Sequence, residues 1–151
     1  MIDVACLCVG HLESGYLPDY NDEAKYHDYH SVSLYKNEEI RQQAKRVVDV
    51  IYPSTEFDTT IVNARLHVME PNVHLKEHVD SMPSNMDNFH VLHHVLKTNP
   101  HAYLTFNGHK KHLKQNFIYE LNNTYPHSGG NEGDEARLHL FIEVYAFPKE
   151  L

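Results

Sequence analysis

The stretch "DTTIVNARLHVME", residues 58 to 70, indicates a β-strand. Polar and apolar residues alternate along it and β-branched residues are frequent, as in a strand with one face against a core. Turn-forming segments and no helical stretches separate the short β-prone segments that follow it. Such a series favours an antiparallel sandwich or barrel of the jelly-roll kind. The segments are "FHVLHHVLK" (89–97), "HAYLTFN" (101–107), "NFIYELN" (116–122) and "ARLHLFIEVYAF" (136–147).

The residues upstream of this region predict one helix. In "NEEIRQQAKRVVDVIY" (37–52), apolar residues recur at helical spacing, Asn37 is suited to the N-cap and Pro53 ends the pattern. We interpret "MIDVACLCVG" (1–10) as a buried first strand and the polar "PDYNDEAKYHDYH" (18–30) as a long loop.

These elements together predict a single mainly-β (α+β) domain over residues 1–151. Residues 1–58 would supply the N-terminal strand, the loop and one long packing helix. Residues 59–151 would form the β-rich core, a double-stranded β-helix or jelly roll.

The composition argues against several classes of protein. A chain of 151 residues is long enough for one hydrophobic core. Its formal net charge of -8 makes it too acidic for a general surface that binds duplex nucleic acid. No apolar run approaches the roughly 20 residues that span a membrane. The 2 cysteines are too few for a disulfide framework, and we expect a cytoplasmic protein. The sequence carries no signal for an oligomeric state.

A candidate metal site begins at the tripeptide His78-Val79-Asp80. On an extended chain, residues at i and i+2 project to the same face, so an imidazole and a carboxylate can occupy neighbouring corners around one metal ion. A second histidine from a distant strand would complete the 2-His-1-carboxylate triad that suits non-haem Fe(II) oxygenases. The motif alone is a weak signal, because His11-Leu12-Glu13 offers a similar pair.

Two residues further along the chain strengthen the metal hypothesis. His127 precedes a Gly-rich polar loop, and Arg137 lies on the last strong strand. A buried Arg is costly unless it is paired, and the neighbours on its strand face, His139 and Phe141, carry no negative charge. A dicarboxylate that also chelates the metal would pair with Arg137, because the planar guanidinium suits carboxylates.

The order of these residues resembles that of the 2-oxoglutarate/Fe(II) dioxygenases. The flanking sequence resembles one branch, the aspartyl/asparaginyl β-hydroxylase family. The resemblance covers roughly residues 60–151, and residues 1–58 carry no matching motif. The matching segments are "RLHVMEPNVHLKEHVD" (65–80), "HHVLKTNP" (93–100), "GHKKHLKQNFIYELNNTYPH" (108–127) and "RLHLFIEVYAFP" (137–148).

The resemblance implies a role for each residue of the constellation. His78, Asp80 and His127 would ligate Fe(II). Arg137 would bind the distal carboxylate of the cosubstrate 2-oxoglutarate, and O2 would be the second cosubstrate. Peptide hydroxylases of the family can carry Gly in place of Asp80, so this chain looks more like an ordinary facial-triad oxygenase.

Further residues are candidates for contact with 2-oxoglutarate. His94 lies where the family has a histidine that helps to hold this cosubstrate. His139 shares the strand face of Arg137, and Tyr119 occupies an inward strand position, so both are candidate cosubstrate contacts. His67 stands where the family can have a small hydroxyl residue, which alters the expected pocket.

The function that the resemblance implies is hydroxylation of an unactivated C–H bond. The substrate would be an amino-acid side chain, either in a protein or in a small molecule. Two alternatives stay open at this point: a His-rich cupin-like metal-binding module, and a metalloenzyme that does not use 2-oxoglutarate. In the latter, Arg137 would bind an anionic substrate.

Overall fold

The computed structural model describes residues 6–13, 29–33, 38–81 and 87–150. These residues form one α-helix and ten β-strands. The elements in chain order are β1 (Cys6–His11), β2 (Tyr29–Ser33), α1 (Glu38–Ile51), β3 (Phe57–Met69), β4 (His74–His78), β5 (Phe89–Lys97), β6 (Ala102–Phe106), β7 (His109–Lys111), β8 (Phe117–Leu121), β9 (His127–Asn131) and β10 (Arg137–Pro148). The mainly-β fold class predicted from the sequence is confirmed.

The strands form two antiparallel sheets that face each other. The larger sheet has the order β1-β8-β5-β10-β3-β2 and the smaller one has the order β4-β9-β6-β7. A buried cluster joins them, with Val95, Tyr119 and Leu121 from the larger sheet and Leu104 and Phe106 from the smaller one. Antiparallel sheets packed face to face bury alternate residues of each strand between them.

Helix α1 covers the outer face of the larger sheet. Its residues Ile40, Val47 and Val48 are buried and pack in one cluster with Leu92 and Leu140 of the sheet. Full burial of each such side chain contributes about 1.5–3 kcal/mol, which holds the helix against the strands. The predicted helix, 37–52, agrees with the observed bounds to within one residue at each end.

Strand β5 lies between these two buried layers. Leu92 and Leu96 pack in the cluster beneath the helix, while Val95 packs in the cluster between the sheets. Since successive side chains of a strand point to opposite faces, the neighbouring histidines His93 and His94 face different layers.

The N-terminal region differs in part from the expectation. Among the described strands, β1 is at the edge of the larger sheet and pairs with β8, and its Leu7 and Cys8 are exposed while Cys6 is buried. An edge strand lacks a neighbour on one side, so it is less covered than the buried strand that we expected. Of the expected long loop (18–30), residues 29 and 30 belong to β2, and the others lie outside the described residues.

No helix among the described residues is long and apolar enough to cross a membrane.

Candidate metal centre

Strands β4 and β9 bring together three residues that are far apart in the sequence. His78 ends β4 and His127 begins β9, and the two are partners in the antiparallel register. Asp80 follows β4, where its backbone N–H donates to the carbonyl of Asn123 at 3.1 Å. The predicted His-x-Asp pair and the distant histidine therefore meet at one end of the smaller sheet.

The side chains of these three residues point at a common centre. His78 Nε2 lies 3.5 Å from Asp80 Oδ1, and His127 Nε2 lies 3.7 Å from Asp80 Oδ2. One ligand atom from each residue lies within 4.8 Å of the others. Ligands at about 2.1 Å from one metal ion lie about 3 Å apart when adjacent, so a small closure of these side chains would complete the site.

Hydrogen bonds to the backbone orient both imidazole rings. Nδ1 of His78 lies 2.8 Å from the carbonyl of Lys76, and Nδ1 of His127 lies 2.9 Å from the carbonyl of Tyr125. A carbonyl oxygen only accepts, so each Nδ1 carries the proton and each Nε2 presents its lone pair to the centre. This arrangement is the usual one for metal-binding histidines.

The chemistry of the donor set fits a divalent first-row metal ion. Two imidazole nitrogens and one carboxylate form the facial triad that leaves the opposite coordination positions open, as non-haem Fe(II) oxygenases require. The side chain of His127 is 11% exposed, whereas those of His78 and Asp80 are each 39% exposed. The candidate site is therefore partly open to solvent.

A cavity of about 80 Å³ extends from the three ligands into the space between the sheets. Arg137, the first residue of β10, lines it and is only 3% exposed. Gly129 of β9 lies beside the guanidinium and lets Leu104 pack closely, because a Cβ at this position would lie only 2.9 Å from the Leu104 side chain, whereas its 3.7 Å distance from Nη1 of Arg137 would be an ordinary contact. The cavity thus holds a metal-type donor set and a buried cation.

Histidine and phenylalanine side chains of the larger sheet form another part of the cavity wall. His67 stacks on Phe141, with ring centroids 4.7 Å apart, and His93 meets Phe141 edge to face at 5.2 Å. Burial lowers the pKa of His93 to about 3, and the charges of Arg137 and His127 add to this effect. Burial likewise holds the pKa of His67 well below its usual value. Both rings are therefore neutral near pH 7.

A family profile for aspartyl/asparaginyl beta-hydroxylase matches residues 11–146 of the sequence. The chain belongs to this family. The match extends beyond the segments that carry the resemblance in the sequence and includes helix α1. No curated protein matches the sequence.

Solved structures similar to this β-hydroxylase family chain share its jelly-roll architecture. An oxidoreductase of the 2OG-Fe(II) oxygenase family from Burkholderia pseudomallei has a TM-score of 0.59 and 12% identity, with 81% of this chain and 70% of that chain covered. The viral collagen prolyl hydroxylase of Paramecium Bursaria Chlorella virus-1, solved with 2OG, has a TM-score of 0.53 and 9% identity, with 80% of each chain covered. The plu4264 protein from Photorhabdus luminescens has a TM-score of 0.51 and 13% identity, with 87% and 88% covered. At these identities the likeness shows the fold alone, and it confirms the predicted jelly roll.

The structure places His94 away from the cavity of this β-hydroxylase family chain. Its Nε2 donates to the carbonyl of Leu12 at 2.8 Å, and its Nδ1 lies 3.3 Å from Nε2 of Gln43 on α1. The neighbouring His93 lines the cavity instead. The reason is strand alternation: two adjacent histidines cannot face the same layer, and the sequence alone does not say which of them faces inward.

His139 is fully buried directly behind the cavity wall. Its Nδ1 lies 3.2 Å from Nδ1 of His93, and its Nε2 has no hydrogen-bond partner among the described residues. A buried N–H without a partner costs more than a bare lone pair, so the proton of His139 belongs on Nδ1, which donates to His93. His93 then carries its proton on Nε2 and is a hydrogen-bond donor in the cavity wall.

Tyr119 lies in the cluster between the sheets but is absent from the cavity lining. Its hydroxyl accepts the backbone N–H of Lys114 at 3.1 Å, and burial raises its pKa. Among the described residues, Tyr119 thus supports a nearby loop, and His139 supports His93.

Sequence reasoning assigned no site role to His93, Phe141 or Asn123, all of which line the cavity. Phe141 lies four residues after Arg137 on β10, so both side chains face the same side of the strand, and Phe141 pairs with His93 on β5. This pairing of strands brings His93 and Phe141 to the cavity. Nothing in the sequence pattern distinguishes Asn123 from its neighbour Asn122.

Proposed function

We propose that this chain is an Fe(II)- and 2-oxoglutarate-dependent hydroxylase. The observation that carries the proposal is the joint placement of His78, Asp80, His127 and the buried Arg137 around one cavity. Membership of the aspartyl/asparaginyl β-hydroxylase family supports the same chemistry. The substrate would be an amino-acid side chain, protein-bound or in a small molecule.

His78, Asp80 and His127 would hold the metal. In both histidines Nδ1 faces a backbone carbonyl and Nε2 faces the centre, so binding through Nε2 needs no tautomer change. Fe(II), together with 2-oxoglutarate and O2, would supply the oxidising power for an unactivated C–H bond. The protein's part is to hold three coordination positions and leave the others to ligands.

Arg137 would bind the distal carboxylate of 2-oxoglutarate. It is buried and lines the cavity, and a guanidinium in a site of low dielectric makes strong, bidentate contacts with carboxylates. The neutral His93 offers a second donor on the same wall without adding charge. Around them, Leu104, Phe106 and Leu121 line the cavity with apolar surface, which limits access of water.

The proposal includes a cytoplasmic location. It fits the low cysteine content of the chain, 2 in 151 residues, which is too few for a disulfide framework.

A titration under anaerobic conditions tests the cosubstrate. Fe(II) is added to the purified protein, followed by 2-oxoglutarate, while the weak visible metal-to-ligand charge-transfer band is recorded. The proposal expects the band to appear and saturate, and succinate to form once O2 is admitted. Fe(II) binding with neither the band nor succinate would contradict it and would favour a metalloprotein that does not use 2-oxoglutarate.

A further inference from the structure

Asn123 is a buried amide in the turn between β8 and β9. It is 4% exposed and lines the cavity beside the candidate ligands. Its side-chain Nδ2 donates to Oδ2 of Asp80 at 2.9 Å, and its backbone carbonyl accepts the backbone N–H of Asp80 at 3.1 Å. One residue therefore holds Asp80 at both its main chain and its carboxylate.

The orientation of the Asn123 amide is set by Asp80. An ionised carboxylate only accepts hydrogen bonds, so the atom facing it must be Nδ2, and Oδ1 points the other way. Oδ1 is buried and has no hydrogen-bond partner among the described residues. A buried acceptor without a partner is unfavourable and is uncommon in folded proteins, so the contact with Asp80 is kept at a cost.

The neighbouring residue shows what a turn-forming asparagine does here. Oδ1 of Asn122 accepts the backbone N–H of Thr124 at 3.2 Å and its hydroxyl at 2.6 Å. These local bonds stabilise the turn by the usual Asx geometry. The side chain of Asn123 instead reaches Asp80, 43 positions away in the sequence.

We propose that Asn123 is a positioning residue that holds the carboxylate of Asp80 toward the Nε2 atoms of His78 and His127, where the metal would bind. The proposal rests on the metal site of the proposed function. The hydrogen bond from Asn123 to Oδ2 holds the carboxylate with Oδ1 at 3.5 Å from Nε2 of His78 and Oδ2 at 3.7 Å from Nε2 of His127.

Asp80 needs such a restraint because little else fixes it. It follows the last residue of β4, and its side chain is 39% exposed. A charge-assisted hydrogen bond from a buried amide fixes the rotamer of the carboxylate, as partners of metal ligands commonly do.

The test measures Mn(II) affinity of the metal-free protein, without 2-oxoglutarate, by electron paramagnetic resonance or calorimetry. Asn123→Ala should weaken Mn(II) binding by about 10- to 100-fold. Asn122→Ala is the matched control, because it alters the same turn without touching Asp80, and it should change the affinity by less than about threefold. Asn123→Leu, which has a similar volume and no polar atoms, replaces Asn123→Ala if the latter does not fold.

A double-mutant cycle separates positioning from a general structural effect. In an Asp80→Ala background, Asn123→Ala should change Mn(II) affinity by less than about twofold, since the residue acts through Asp80. An equal loss in both backgrounds, or wild-type affinity in Asn123→Ala, would overturn the inference. Mn(II) binding that follows the cycle in a protein that never binds 2-oxoglutarate would leave the inference standing while the proposed function fails.

Discussion

At the scale of single residues, Arg137 should determine the affinity for 2-oxoglutarate. Arg137→Ala removes a buried guanidinium from the cavity, and we expect affinity to fall at least about 30-fold, which corresponds to about 2 kcal/mol. Arg137→Lys keeps the charge but loses the planar fork, so its affinity should lie between those of the wild type and Arg137→Ala. Anaerobic titration of the charge-transfer band measures these affinities.

The control for this prediction is Arg41→Ala. Arg41 is exposed on α1, where it pairs with Glu38 at 2.9 Å. It should bind 2-oxoglutarate as the wild type does. Equal affinities of the wild type and Arg137→Ala would contradict the role assigned to Arg137.

His139 should make the stability of the fold depend on pH. Burial and the charge of Arg137 hold its pKa well below 6.5 in the folded state. Below pH 6.5 the unfolded chain therefore binds a proton that the folded chain does not. The free energy of unfolding should fall as the pH decreases, by up to about 1.4 kcal/mol per pH unit for this histidine.

His139→Leu should make this pH dependence shallower. The variant loses the hydrogen bond to His93 and should be less stable at pH 8 by about 1–3 kcal/mol. Between pH 6.5 and 4, however, its urea-unfolding free energy should decline less steeply than that of the wild type. Leu140→Ala serves as the control, because it removes buried apolar surface and no proton site, and it should lower stability at every pH with an unchanged slope.

At the scale of the element, the two faces of β5 should separate binding from stability. His93 lines the cavity, whereas His94 bonds Gln43 of α1 and the carbonyl of Leu12. His93→Ala should weaken 2-oxoglutarate binding several-fold. His94→Ala should leave that affinity unchanged and lower the free energy of unfolding by about 1–3 kcal/mol, because buried polar partners are left unsatisfied.

Binding and stability measurements on both histidine variants can contradict this prediction. The same titration and a urea-unfolding curve are recorded for both variants. If His94→Ala alone weakened 2-oxoglutarate binding, the family-based role of His94 would stand and the one proposed for His93 would fall.

The elements were largely predictable because their signals are local. The helical spacing of Ile40, Val47 and Val48, together with Pro53, predicted α1 nearly to its ends. Both the apolar spacing and the residue that ends the helix lie within one segment of the sequence. The alternation in residues 58–70 predicted most of β3 for the same reason. The burial of Leu7 and Cys8 was predicted wrongly, because edge position depends on the partner strands.

The site was predictable only where the family pattern supplied what local signals lack. His78 and His127 meet because β4 pairs with β9, and no local signal specifies a pairing between such distant segments. Residue type and spacing made them candidates, and the resemblance implied that they act together as ligands. The assignments of ligand and cosubstrate roles stay predictions, and the support from Asn123 was invisible because its contact with Asp80 is tertiary.

At the scale of the whole molecule, metal binding should stabilise the fold. A ligand that binds only the folded chain raises the free energy of unfolding by about 2.7 kcal/mol when it is present at about 100 times its Kd. Mn(II) should therefore raise the melting temperature of the metal-free protein, and a chelator should reverse the shift. His127→Ala should largely abolish the shift, whereas His101→Ala, at an exposed position, should retain it.

The measurement is differential scanning fluorimetry at several Mn(II) concentrations. An equal rise in melting temperature for His127→Ala and the wild type would show that Mn(II) binds elsewhere.

The candidate metal ligands and Arg137 belong to different sheets. His78 and His127 lie in the smaller sheet, while Arg137 begins a strand of the larger one. The distance from the guanidinium to a bound metal would therefore depend on the thickness of the layer between the sheets, to which Leu104 and Phe106 contribute. The spacing between the sheets would thus select the length of the dicarboxylate that can bind. We expect substitutions at these apolar positions to change the preference between four-, five- and six-carbon dicarboxylates, although they alter no polar contact.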